Sequence, residues 1–136
     1  GRSITAPQYV MAVAQLQAFA RGVISFWNDF DILLTPALGK LPVKHGEVDA
    51  CGENPAHEFK RSGEFTPFTA GVNVTGQPAI SIPLGQSTEG LPLGTQLIGA
   101  PLHEGTLLAV ARQLEEARPW GDRLPPEPTA QRRVRC

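Results

Sequence analysis

Cysteine is nearly missing. Cys51 and Cys136 are the only two in 136 residues, too few for a disulfide framework, so a reducing, cytoplasmic setting is the expectation. Charge of one sign is missing as well. Twelve Lys and Arg stand against 13 Asp and Glu, a formal net charge of −1. That balance argues against a nucleic-acid partner, which would need a basic face. No uninterrupted apolar run approaches the roughly 20 residues that span a bilayer, so no membrane partner is expected. No cationic, apolar, small-residue pattern of a signal peptide follows Gly1-Arg2-Ser3 either. Met occurs once, at Met11, and not at the start, so the chain reads as processed or as a piece of something longer.

Gly and Pro are abundant instead, 27 of 136 residues or 20%, against a usual ~12%. With 41% apolar residues the excess means many turns rather than disorder. The first segment reads as a helix. Thr5 caps it, Pro7 suits its first turn, and Tyr9, Val13, Leu16, Ala20, Val23 and Trp27 fall on one face. Asp29 to Pro36 holds the run Ile32-Leu33-Leu34, flanked by acids and stopped by Pro36, the pattern of a strand buried on both faces. Residues 37–64, with four glycines and two prolines, read as a long irregular excursion. Residues 65–73 suit a short helix broken by Gly76 and Pro78. Residues 79–83 and 93–98 read as strands joined by a polar turn. Leu107, Val110, Ala111 and Leu114 mark an amphipathic helix ending before Pro119. Residues 129–136 form an irregular basic tail carrying Arg132, Arg133 and Arg135. The result is α/β, a mixed sheet with flanking helices, and too few strands for an independent sheet.

Complete chemistry is hard to find. His45, Cys51 and His57, six apart in one segment, match none of the paired zinc-ligand spacings, and no third residue marks a Cys–His pair as a nucleophile. Gly85-Gln86-Ser87-Thr88-Glu89-Gly90 superficially suggests a nucleophile elbow. It has one residue too many and joins strand to strand, so a hairpin turn is the better reading. The glycines at 85, 90, 94 and 99 lack the Lys-Ser/Thr of a phosphate loop. No metal, organic cofactor or catalytic residue is assigned.

Asp31-Ile32-Leu33-Leu34-Thr35-Pro36, then Phe65 through Pro83 (FTPFTAGVNVTGQPAISIP), then Gly90 through Gly99 (GLPLGTQLIG) and Glu104-Gly105-Thr106-Leu107-Leu108, resemble the C-terminal part of the amidase signature family, in order and spacing. Arg118-Pro119-Trp120 resembles the ending of its cyclic-amide (nylon-oligomer) hydrolase and aryl acylamidase subgroup. The resemblance is specific from about Asp29 to Trp120. It implies that residues 1–128 are the C-terminal segment of one amidase domain, a partial amidase-signature fold. Family members hydrolyse carboxylic amides without a metal or organic cofactor, using a Ser-Ser-Lys triad and a Gly/Ser-rich loop. Neither has a counterpart here, since no Gly-Gly-Ser-Ser-type run occurs and Lys40, Lys44 and Lys60 stand in other contexts.

The resemblance makes Thr35, Pro36, Phe68, Asn73, Val74 and Thr75 candidates for one wall of the substrate pocket. The implied partners are the missing N-terminal amidase portion or a second copy of the chain, and a small-molecule amide once the site is complete. Two alternatives stay open, a free-standing binding domain derived from an amidase and a subunit of a split amidase or amidotransferase.

Overall fold

The computed structural model describes residues 3–49, 51 and 54–124; the basic tail at 129–136 lies outside them. Helix α1 spans Ala6–Ile24 and continues as a 3-10 turn over Ser25–Asn28. Its start is the predicted cap made reciprocal: the Thr5 hydroxyl accepts from Gln8 N–H, and the Gln8 side chain accepts from Thr5 N–H. Of the predicted apolar stripe, Val13, Ala20, Val23 and Trp27 are half-buried, whereas Tyr9 and Leu16 are exposed. The helix packs beside a short helix of six residues, α3 (Ala70–Thr75). Gly76 closes α3 in the left-handed region, at φ 68°, and its N–H bonds to Val72 O.

Ala6–Asn28 forms 23 helical residues with a mean hydropathy of 1.2 in its most apolar window. By length and composition alone it suffices to cross a membrane. Counting uninterrupted apolar residues missed this, because Gln15, Gln17 and Arg21 break the run without lowering the average far enough.

Strands β1 (Ile32–Pro36), β2 (Ala79–Gln86) and β3 (Pro92–Gly99) form a three-stranded sheet in the order β1-β3-β2. Both pairings are antiparallel, with Leu34 opposite Leu97 and Ile80 opposite Leu97. The register slips between Ile82 and Gly85, where Pro83 has no N–H to give the ladder, as suits a bulge on an outer strand. Residues 87–91, between the paired Gln86 and Pro92, are the hairpin turn. Ser87 Oγ accepts from the N–H groups of Glu89 and Leu91, so the hydroxyl holds the turn rather than presenting a nucleophile. Helix α4 (Glu104–Ala117) crosses β2 and β3. It seats Leu107 and Ala111 on Ile82 and Leu97, with Val110, Leu114 and Trp120 packed around them.

Two expectations need correction. The segment 37–64 is not wholly irregular, because α2 runs from Pro55 to Phe65. Its start was readable: Asn54 accepts from His57 N–H, and Pro55 sits in the first turn. Its interior was not, since the chain there is polar and Phe59 is 83% exposed, leaving no buried face to set a period. Strand β1, expected to be buried on both faces, is instead an outer strand with Leu34 62% exposed.

Candidate functional site

The site is assembled where β1 ends. Beyond Pro36 the chain keeps pairing for one more residue, with Ala37 N–H bonded to Gly94 O, and then turns toward α2, where Gly39 N–H bonds to Phe65 O. The approach is close. A side chain at Gly39 would lie 2.9 Å from Glu64 O, and one at Gly94 would lie 2.8 Å from both Ala37 Cβ and Ser81 Oγ. The cavity of about 710 Å³ that results is lined by Pro36 through Pro42, Ser81, Pro92, Leu93 and Gly94, a mostly apolar wall. Replacing Gly94 by Ala is therefore expected to cost about 1–3 kcal/mol of stability, because two flanking strands would have to move apart. A chemical-denaturation midpoint unchanged by G94A would contradict that.

Lys40 stands at the rim. Its Nζ pairs with Glu64 Oε2 at 2.6 Å and lies 5.2 Å from the centre of the Phe65 ring. The lysine bond holds the Glu64 carboxyl below the ordinary glutamate range. In a neighbouring cluster His57 Nδ1 lies 3.1 Å from Glu58 Oε1. That contact, followed by the Asp49 N–H, pulls the Glu58 carboxyl down as well. Both carboxylates are thus biased toward their charged forms, which suits ion pairing rather than proton transfer at neutral pH. His45, Cys51 and His57 form no metal-holding group among the described residues.

The predicted wall residues separate into two sets. Thr35, Pro36 and Phe68 come together: Pro36 lines the cavity, and one side chain, Gln96, donates to both Thr35 Oγ1 and Phe68 O, each at 3.3 Å. Asn73, Val74 and Thr75 lie on α3 and are not among the residues lining the cavity. Asn73 and Val74 are exposed, and Thr75 Oγ1 donates within its own helix to Val72 O. Gln96 was missed by the sequence reading. Its signal was a lone carboxamide in the otherwise small and apolar strand Leu93–Gly99, where a buried polar group requires partners.

Set beside known proteins, the chain matches the Amidase family profile over residues 2–108. It is 37% identical over 130 residues to the 6-aminohexanoate-cyclic-dimer hydrolase of Paenarthrobacter ureafaciens, covering 90% of this chain and 26% of that protein. A solved structure of 6-aminohexanoate cyclic dimer hydrolase superposes with a TM-score of 0.79 at 34% identity, over 88% of this chain and 26% of the other. A bacterial aryl acylamidase of the amidase signature enzymes superposes with a TM-score of 0.67 at 27% identity, over 87% of this chain and 24% of the other. The chain thus spans about a quarter of the length of the relatives it matches.

Proposed function

Because the chain belongs to the amidase family, with residues 2–108 inside the family match, we propose that it is the C-terminal segment of an enzyme that hydrolyses carboxylic amide C–N bonds. In this reading it supplies part of the sheet and one wall of the substrate pocket, and the remaining portion of the domain supplies nucleophile, base and oxyanion hole. The observation that carries the reading is similarity along nearly the whole chain to only 26% of a cyclic-amide hydrolase. The geometry is compatible with it. Pro36 and the segment after it border a largely apolar cavity, the sort of surface that holds an uncharged amide by burial while polar groups elsewhere orient it.

The substrate is a small-molecule amide, and the partner is the preceding amidase portion, on the same polypeptide or a second one. Helix α1 is a core helix of that assembly rather than a membrane anchor, since the family match runs through it and Gln15, Gln17 and Arg21 interrupt its apolar surface. The exposed free thiol of Cys51 suits a reducing cytoplasm.

Hydrolysis decides the matter. The purified segment is expected to release no product from a cyclic or aryl amide, because covalent catalysis needs a nucleophile and its base together. Supplied with the preceding portion of the Paenarthrobacter relative, fused or on a separate chain, it is expected to yield turnover. Turnover by the segment alone that survives repurification overturns the reading, as does a well-folded combined protein that hydrolyses no amide.

A further inference from the structure

Gln96 sits at the middle of the central strand, 6% exposed, with Thr35 opposite it on β1 and Ser81 opposite it on β2. A carboxamide in such a place costs free energy unless it is hydrogen-bonded. Its Nε2 donates to Thr35 Oγ1 and to Phe68 O, acceptors 61 and 28 residues away along the chain. Both hydrogens lie on one planar nitrogen, so a single side chain fixes the separation of the two segments. Gly94 lies two residues along the same strand and on the same face. There it is wedged between Ala37 and Ser81 at the cavity. The polar row Thr35–Gln96–Ser81 therefore adjoins the cavity, with Ser81 part of its lining.

We propose that Gln96 is a positioning residue: it ties the end of β1, and with it Pro36, to the turn at Phe68, and so holds the pocket wall in the shape an amide substrate meets. The substrate part of this rests on the amidase reading above; the tie itself does not. The test uses the combined protein, with Q96L as the main variant and T35V as a second that removes one acceptor and leaves Gln96 in place.

Q96L is expected to raise KM about tenfold while kcat changes less than about threefold, since a lost positioning bond weakens binding rather than the chemical step. The Q96L/T35V double variant is expected to be no worse than Q96L, because both changes break the same link. Amide hydrogen exchange at residues 68–73 is expected to quicken in Q96L in the combined protein. A folded Q96L with unchanged KM overturns the substrate role, as does a fall in kcat alone; unchanged exchange overturns the tie. Should Q96L fail to fold, T35V decides by the same readouts. A combined protein with no hydrolysis removes the amidase reading and the substrate role with it, while exchange still decides the tie.

Discussion

Alone in dilute solution the segment is expected to show no sharp thermal transition, and to gain one when the preceding amidase portion is supplied. Its accessible surface is 11110 Å² for 14.6 kDa, against about 6,900 Å² for a compact monomer of that mass. The exposed surface is the wrong kind to face water. No residue of α1 is buried, and Tyr9, Val10, Met11, Leu16 and Phe19 are half to two-thirds exposed. In the order β1-β3-β2 both outer strands leave an edge unpaired among the described residues. Such edges invite association. What remains as core among the described residues is Ile82, Leu97, Ile98, Leu107 and Ala111 with a ring of half-buried neighbours, little for a cooperative transition to draw on. Binding energy from the preceding portion would be added to the folded state only. Differential scanning calorimetry of the segment, its partner and the mixture makes the comparison. A sharp melt of the monomeric segment would favour the free-standing binding domain instead.

Where the sequence was legible, one physical signal was strong and local. The Thr5/Gln8 cap, the turn built on Ser87 and Gly90, and the 3.6-residue spacing of Leu107, Val110, Ala111 and Leu114 each fix an element without help from distant residues. The interior of helix α2 was illegible for the opposite reason, a polar helix with nothing buried. Of the candidate wall residues, Thr35, Pro36 and Phe68 meet around Gln96 and the cavity, while Asn73, Val74 and Thr75 stand apart from them on α3. Gln96 escaped because its meaning depends on two partners that only the fold brings near.

The burial expected of β1 supplies the second large effect. Leu34 and Leu97 are cross-strand partners on one face of the sheet, yet Leu97 is 1% exposed under α4 and Leu34 is 62% exposed. Removing Leu97 leaves a cavity among Ile82, Leu107 and Ala111, so Leu97→Ala is expected to cost about 2–5 kcal/mol in the combined protein. Leu34→Ala should cost less than about 0.5 kcal/mol in the segment alone, where water already surrounds the side chain. In the combined protein the same change is expected to cost about 2–5 kcal/mol, because a leucine once covered loses transfer energy and leaves a cavity. Exchange of the β3 amides reads the segment, and denaturant melts read the combination. The contrast between the two states of Leu34 carries the information. An apolar Ile-Leu-Leu run makes sense only with layers on both faces, and the described residues leave Leu34 uncovered on the side where α4 covers Leu97. Equal, small costs for Leu34→Ala in both states would mean that nothing covers β1, and the run would then need a different partner from the amidase body.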